Sequence, residues 1–338
     1  NNDGFVLEKI SITQKSAVVK EIHVETAGTL ETLVTTEELN GYENVKITGR
    51  LNTFDYDYLK LAGNLKGVDL SDLDMNTIPA SAFSGSSLQT VLLPKNLIVI
   101  PSRAFYQSKI TSITIPETVI EIGEYAFYQC QQTRGDLVIP SNVESIGTYA
   151  FRDCTFDGVL TLSSLKLKEI KEYTFSGSKL TGKLVLPLNV EKIGDNAFAN
   201  CSGFTGLTLN ENLLSIGEDA FEKCSGFEGN LVIPDKVQTI GMSAFQECEG
   251  LQGNLTIGKS VTDLGAWVFT IRNIYNGDRT NFNKIYFKCL VPPSNLTNTF
   301  GRLSNSCKLK YVAVPIGCKD AYMRAFSNYI DVIEEIEF

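Results

Sequence analysis

The sequence predicts an α/β repeat protein, in which short strands and helical turns stack into a right-handed solenoid. Three observations predict this fold class. One dipeptide recurs at nearly constant spacing, the pattern inside each unit changes from period two to a near-helical period, and a unit is too short to bury its own apolar side. Of the 338 residues, 43% are hydrophobic and 20% are charged, which is enough apolar material for an extended core.

An Ala-Phe dipeptide, or a close variant of it, marks each repeat. It recurs in steps of 22 to 24 residues, within the range of about 20 to 29 residues that is typical of leucine-rich repeats. An Ile, once a Leu, stands five residues before each Phe, and the residue after that Ile is usually Gly. The marker positions are Phe83, Phe105, Phe127, Phe151, Phe175, Phe198, Phe221, Phe245 and Phe269.

One complete unit runs over residues 110–130. Its first half alternates and is β-branched, which predicts a strand that ends at Pro116. Its second half places apolar residues at near-helical spacing, which predicts a short helical turn. Stacked units therefore place one parallel sheet on the concave face, with strands about 4.8 Å apart, and the helical turns on the convex face.

The pattern over residues 65–270 resembles the BspA-type leucine-rich-repeat family. Residues 65–71 resemble the family's entry units, and residues 311–315 with a predicted helix over 319–327 resemble its closing unit. The resemblance implies an extracellular or cell-surface protein that acts in adhesion, anchored to an outer membrane by a lipid upstream of Asn1. It also implies a host or microbial surface protein or glycan as the partner.

The chain divides into three predicted segments. Residues 1–64 form an N-terminal cap with an entry unit, residues 65–283 form a solenoid of about nine repeats, and residues 284–338 form the closing repeat and cap, because both ends of a stacked sheet need covering. Within the first segment, residues 5–12 and 18–25 alternate like strands, and residues 29–39 are predicted to be a helix.

The charge and the hydrophobicity of the chain each argue against one class of partner. The formal net charge is −9, so nucleic acid is not an expected partner. The sequence contains no apolar run long enough to span a bilayer, and the folded domain is not expected to insert into a membrane. The chain opens with polar residues 1–3 and not with a leader, so we expect a mature or trimmed form.

The sequence predicts no catalytic residue, no metal site and no cofactor. His23 is the single histidine, and no Cys-x-x-Cys pair is present, which removes most nucleophilic triads and zinc sites. Asp72-x-Asp74-x-Asn76 begins like a calcium loop but lacks the turn glycine and the bidentate Glu, so it is interpreted as a turn.

Five of the eight cysteines share one repeat position, three residues after the Phe. Ser takes that position in other units, which indicates a column of small inward side chains. We predict that these cysteines are reduced thiols, because parallel side-chain vectors disfavour disulfide geometry. A bridge between Cys307 and Cys318 stays open. The five are Cys130, Cys154, Cys201, Cys224 and Cys248.

The tripeptide Arg134-Gly135-Asp136 matches an integrin-recognition sequence but is interpreted as accidental. Gly135 is in register with Gly158, Gly182, Gly229 and Gly253, so the repeat itself requires glycine there.

Two surfaces are candidates for ligand binding. The first is a column of varied, polar, outward-facing strand residues on the concave sheet, with Ser112, Asp136, Lys183, Asn230 and Asn254 as the predicted contacts. The second is a stripe on the helical side formed by Tyr125, Tyr149 and Tyr173, which occupy one position in three successive units. Exposed aromatic side chains bind protein or glycan surfaces, although stacking between units also explains them.

The sequence favours a non-enzymatic, surface-displayed protein that binds through an extended solenoid face, by many weak contacts on a rigid support. An intracellular or periplasmic interaction scaffold is the first alternative. An enzyme is the second alternative, and it requires a deep pocket with perturbed acids.

Overall fold

A computed structural model describes residues 19–271, 280, 282–301, 309–327 and 330–338. Over these residues, the repeats stack one on another with a continuous row of buried side chains inside. The fold class predicted from the repeat, a parallel-strand leucine-rich-repeat solenoid, is confirmed. Long-range contacts between neighbouring units replace the single globular core of an ordinary domain.

Most strands are two to five residues long, because each unit contributes only a short extended segment to a sheet. The strands are β1 (Lys20–Val24), β2 (Asn44–Gly49), β3 (Gly67–Asp69), β4 (Thr90–Leu92), β5 (Val99–Ile100), β6 (Glu121–Ile122), β7 (Leu137–Ile139), β8 (Ser145–Ile146), β9 (Leu160–Leu162), β10 (Glu169–Ile170), β11 (Gly182–Val185), β12 (Lys192–Ile193), β13 (Phe204–Thr208), β14 (Ser215–Ile216), β15 (Leu231–Val232), β16 (Thr239–Ile240), β17 (Asn254–Ile257), β18 (Asp263–Leu264), β19 (Lys284–Phe287), β20 (Val312–Pro315) and β21 (Ile333–Ile336).

Helices are short and lie near the two ends of the described chain. They are α1 (Leu30–Leu33), α2 (Thr36–Asn40), α3 (Thr53–Leu61), α4 (Leu296–Thr299) and α5 (Lys319–Ala325). The predicted helix over residues 29–39 is therefore wrong in detail. Thr35 interrupts it in an extended conformation and caps α2, accepting a hydrogen bond from the amide of Glu38. The predicted closing helix is present as α5.

The sheet predicted for the concave face consists of parallel pairs and is interrupted along the stack. Its parts follow the orders β1-β2-β3-β4, β7-β9, β11-β13 and β15-β17-β19-β20-β21. The strand predicted over residues 110–115 is not formed as a regular strand, although its Ile115 is buried. The predicted strand over 18–25 corresponds to β1, and the one predicted over residues 5–12 lies outside the described residues.

A second set of parallel strands runs beside the first, and the sequence did not predict it. It consists of two-residue strands at the positions six and five residues before each Phe from Phe105 to Phe269, in the orders β5-β6-β8 and β10-β12-β14-β16-β18. Each contributes one buried Ile or Leu to the core, such as Ile122 or Ile193. This second ladder adds hydrogen bonds between neighbouring units, at positions where the sequence shows no period-two pattern.

The marker phenylalanines form one continuous stack inside the solenoid. From Phe83 to Phe269 the ring centroids of neighbouring units are 5.0 to 5.7 Å apart, with near-parallel planes. Phe300, which follows a longer unit and was not predicted, extends the stack, 5.5 Å from Phe269. All ten rings are buried, so this column is the centre of the core.

The convex segments predicted as short helical turns are pairs of tight bends around the Phe. The residues two before and two after the Phe have positive φ, for example Tyr125 (54°) and Gln129 (55°), which is incompatible with a regular helix. These conformations turn amides toward the next unit. Phe127 N donates to Ala150 O at 2.7 Å, and Tyr125 N donates to Thr148 O at 3.1 Å.

The backbone amides at three positions of the bends all donate in the same direction along the stack. At the Phe position, the amide of one unit donates to the carbonyl of the next in all nine units, from Phe83 N to Ala104 O through Phe269 N to Thr299 O. The amides two residues before and two after the Phe repeat this direction. The bends are therefore a third ladder that joins neighbouring units.

Candidate functional site

The predicted concave column includes residues that the fold itself uses. Asp136 Oδ1 accepts a hydrogen bond from Val159 N at 2.7 Å, and Asn230 Oδ1 accepts one from Asn254 N at 2.7 Å. Both side chains therefore hold the amide of the following unit. A Cβ atom on Gly158 would collide with Asp136 Oδ1, which explains the glycine in this unit. Three other glycines of the same register instead have positive φ, namely Gly135, Gly182 and Gly229.

Of the other residues of this column, Lys183 lies in β11 and Asn254 in β17, whereas Ser112 lies in the segment that forms no regular strand. Ser112 and Lys183 are exposed, and neither side chain makes a hydrogen bond or an ion pair with another described residue. Asn254 is half-buried, and its amide is the one held by Asn230. The concave column is thus brought together along the stack, but only part of it is available to a partner.

The tyrosine stripe lies at the bends and is larger than the sequence indicated. The rings of Tyr125, Tyr149 and Tyr173 are parallel within 6°, with centroids 4.8 and 4.6 Å apart. Tyr106 and Tyr128, at the position after the Phe, stack on each other at 5.2 Å and meet the first column edge-on. The sequence feature that identifies Tyr106 and Tyr128 is the presence of Tyr at a second repeat position in two adjacent units.

Two arginines complete this cluster. The guanidinium of Arg152 lies over the rings of Tyr149 and Tyr173, at 5.4 and 4.9 Å from their centroids. That of Arg103 lies 5.5 Å from the centroid of Tyr125. These are cation–π distances. We call the set Arg103, Tyr106, Tyr125, Tyr128, Tyr149, Arg152 and Tyr173 the tyrosine patch.

The tyrosine patch borders a shallow acidic groove. The groove has a volume of about 430 Å³ and begins at Tyr173. Burial, together with Glu222 and Glu218, raises the pKa of Asp219 in this groove. Its lining residues are Glu172, Tyr173, Asp195, Asn196, Glu218 and Asp219.

The two motifs that resemble known recognition loops are occupied by internal contacts. Arg134 donates to Thr133 O and Thr155 Oγ1, both at 2.7 Å, while Asp136 holds Val159 N. Asp72 forms ion pairs with Lys46 and Lys95, at 2.5 and 2.9 Å. These contacts agree with the structural interpretation of both motifs.

The inward cysteine column is confirmed. All five cysteines are buried and free, and each thiol donates to the carbonyl of the Phe one unit earlier, as Cys154 does to Phe127 O at 2.9 Å. Cys307 lies outside the described residues, so the alternative of a bridge to Cys318 stays a prediction. Cys318 donates to Leu290 O at 3.3 Å.

The chemistry at the remaining candidates is sparse. His23 is exposed on β1, where its ring nitrogens contact Thr48 Oγ1 at 2.9 Å and Glu25 Oε2 at 3.1 Å. Across the described ranges, no three His, Cys, Asp or Glu side chains come close enough to hold a metal ion. In the same part of the chain, none of the helices has both the length and the apolar character needed to span a membrane.

The fold and its column-wise surfaces define a leucine-rich-repeat solenoid. The family described as BspA type leucine-rich repeat region matches six copies of its repeat, over residues 37–134, 134–229 and 228–333. The chain belongs to this family, as the resemblance in the sequence predicted. A comparison with curated proteins gives no match.

Several solved bacterial structures are similar to the chain. The pneumococcal vaccine antigen PcpA is 19% identical, with 87% of this chain and 80% of that chain covered and a TM-score of 0.42. A leucine-rich cell-surface protein from Faecalibacterium prausnitzii is 19% identical, with 85% and 87% covered and a TM-score of 0.39. A leucine-rich-repeat protein from Bacteroides ovatus is 18% identical, with 78% and 87% covered and a TM-score of 0.28.

Proposed function

We propose that this chain is the binding region of a non-enzymatic, surface-displayed leucine-rich-repeat protein that mediates adhesion to a host or microbial surface. The tyrosine patch carries the proposal. It gathers five tyrosines and two arginines from four successive units at one edge of the solenoid. Tyr and Arg are the residue types that dominate binding energy at protein surfaces.

The tyrosine patch is also preorganised for binding. The rings are held in place by one another and by the stacked units below them, so little side-chain freedom remains to be lost when a ligand binds. The concave column is less suitable, because Asp136 and Asn230 hold the amides of neighbouring units. Family membership supports surface display, and an anchoring lipid upstream of Asn1 is part of the same proposal.

Surface display is tested on intact cells of the organism that encodes the chain. An antibody raised against the purified chain is expected to label unbroken cells, and an added protease is expected to remove the signal. Labelling that requires lysis would contradict surface display and favour the interaction scaffold inside the cell.

Binding is tested with the purified chain on immobilised fibronectin, fibrinogen, laminin and a glycan array. Tyr149→Ala is expected to abolish any binding that the wild type shows, and Lys183→Ala, on the concave face, is the matched control. Loss in Lys183→Ala alone would move the site to the concave column. Absence of binding to every surface in the panel would count against adhesion.

A further inference from the structure

The hydroxyl groups of the tyrosine patch have no hydrogen-bond partner among the residues that the structure describes. None of the five phenol hydroxyls donates or accepts a hydrogen bond with another described residue. Elsewhere, by contrast, Tyr58 donates to Val34 O at 2.9 Å and Tyr322 donates to Cys289 O at 2.9 Å. The hydroxyls of the patch are therefore available to a ligand, both as donors and as acceptors.

The stacking decides which part of each ring a ligand meets. Both faces of Tyr149 are covered, by Tyr125 at 4.8 Å and by Tyr173 at 4.6 Å. Tyr149 is half-buried, so the part of its edge that Tyr128 does not contact and its hydroxyl remain for solvent. The three rings thus present a row of phenol edges along the solenoid axis, with a step of less than 5 Å set by the stacking of the units. Partial burial raises the pKa of Tyr149, so its hydroxyl keeps its proton at neutral pH.

The tyrosine patch and its surroundings carry charges of both signs, with an excess of acids on the side of the acidic groove. Arg103 and Arg152 contribute the positive charges, and Glu124, Asp153 and Glu172 lie at neighbouring positions of the same bends. Arg152 Nε is 3.5 Å from Asp153 Oδ2 and makes no hydrogen bond with any described residue. A polyanion meets acids here and a polycation meets guanidinium groups, so neither is favoured.

Amide groups extend the same mixture of donors and acceptors. Gln107 and Gln129 follow the outer tyrosine column, and Gln107 Nε2 donates to Gln129 Oε1 at 2.8 Å. This bond leaves Gln107 Oε1 and Gln129 Nε2 exposed at its two ends. The surface offered to a ligand is polar, of mixed charge and periodic. These ring edges do not form the dry apolar centre that a typical protein–protein interface has.

We propose that the tyrosine patch binds a neutral linear polysaccharide, with its chain along the solenoid axis and about one sugar per unit. Sugar hydroxyls donate and accept as the phenols do, and one sugar ring in an extended chain is close in length to one step of the stack. A repeating ligand matches a repeating row, whereas a folded protein surface does not repeat. This inference rests on the proposed binding function and specifies its ligand.

The test uses the purified chain and defined oligosaccharides in isothermal titration calorimetry. The neutral probes are the hexasaccharides of cellulose, laminarin, mannan, starch and chitin, and the anionic probe is hyaluronan hexasaccharide. At least one neutral probe is expected to bind, with an affinity that does not change between low and high salt. Hyaluronan hexasaccharide is expected to bind more weakly than that neutral probe.

The variant Tyr125→Phe/Tyr149→Phe/Tyr173→Phe removes three hydroxyls and keeps the stacked rings, so the fold is retained. Its affinity for the bound neutral probe is expected to fall about tenfold or more. Tyr286→Phe, in β19 outside the tyrosine patch, is the matched control and is expected to bind like the wild type.

Three outcomes overturn the proposal: no neutral probe binds, the triple variant binds as tightly as the wild type, or hyaluronan hexasaccharide binds more tightly in a salt-sensitive way. If the oligosaccharides fail while an immobilised matrix protein binds in a Tyr149-dependent way, the ligand class is wrong and the proposed adhesive function stands. If neither kind of probe binds, both proposals fail.

Discussion

The cysteine position shows how one side chain is chosen by its neighbours in the stack. Cys130, Cys154 and Cys201 each place a thiol within 3.1 Å of the carbonyl of the preceding Phe. Ser108 and Ser178 occupy the same position and contact the cysteine of the next unit. A small side chain with one weak donor satisfies the bend there, and a disulfide would break these contacts.

We expect the five cysteines of this column to resist alkylation in the folded protein. Burial raises the pKa of Cys201 to about 11, so its reactive thiolate is scarce at pH 8. Because the folded pKa is raised, the associated stability is complete below the ordinary thiol pKa and is lost as pH rises through about 11. Although burial acts to raise it, hydrogen bonds with Cys154 and Ser108 lower the pKa of Cys130, so its protection rests on burial from the reagent alone. Iodoacetamide labelling followed by mass spectrometry should show these sites unmodified in buffer and modified in urea. Rapid labelling of the folded protein would contradict their burial.

Asp72 provides a second test at a single residue. Its hydrogen bonds and charge interactions with Lys46 and Lys95 lower its pKa to about 2. A lowered pKa means that the stabilisation is present above the ordinary value of 3.8 and is lost as pH falls through about 2. Carboxyl carbon NMR should give this titration midpoint, and Lys95→Met should move it upward. An unchanged midpoint in Lys95→Met would show that the pair is not formed.

At the scale of the element, neighbouring units are joined where a side chain of one unit accepts a hydrogen bond from an amide of the next, beside a glycine that permits the close approach. We expect Asp136→Ala to destabilise the protein by about 1 to 2 kcal/mol, because Val159 N then loses its acceptor. Gly158→Ala should cost more, since the new Cβ would also lie 2.5 Å from Gly135 C. Urea unfolding measures both, with Lys183→Ala as a control near zero. Equal values for Gly158→Ala and the control would contradict the close approach.

The phenylalanine stack gives the largest expected effect. Phe175 lies between Phe151 at 5.6 Å and Phe198 at 5.3 Å and is fully buried. Phe175→Ala should destabilise the protein by about 3 to 5 kcal/mol, because it leaves a cavity in the stack. Phe54→Ala is the matched control, since Phe54 is 77% exposed. The urea midpoint compares the two, and a similar shift in both would rule out the stack as the core.

The sequence predicted the elements that repeat with apolar side chains and missed those that repeat in backbone conformation. The Phe column and the cysteine column follow directly from the spacing. The second ladder was missed because a strand of two residues has no alternation to detect. The bends were predicted as helical because a helix face and a double bend place apolar residues at the same offsets. The positive φ at Tyr125 could not be predicted from the sequence, because several other units carry Ser, Arg or Trp at this position, which do not indicate such a conformation as Gly or Asn would.

The candidate site was predicted in part, for a related reason. One tyrosine column stood out because three successive units carry Tyr at one position. The second column has only two tyrosines, Tyr106 and Tyr128, and Arg152 takes the same position in the next unit. Two members are too few to predict a column from the sequence, and the structure shows that it packs against the first. The roles of Asp136 and Asn230 depend on which amide each reaches in the next unit, and spacing does not reveal that.

For the molecule as a whole, stability is shared between neighbouring units and is expected to decline toward the ends. Central units are packed on both sides, whereas terminal units have one neighbour fewer. Hydrogen exchange should therefore be slowest for bend amides such as those of Phe151 and Phe175, and faster for Val312 near the end of the stack. Uniform exchange along the chain would indicate one cooperative unit instead.

The one-way hydrogen bonds of the bends have an electrostatic consequence. Aligned peptide dipoles add, as they do in an α-helix, but here the free carbonyls lie at the N-terminal end of the row and the N–H groups point toward the C-terminal end. This polarity is opposite to that of an α-helix. The N-terminal end of the row should therefore attract cations, and Lys60 Nζ is placed there, 3.4 Å from Ser81 O.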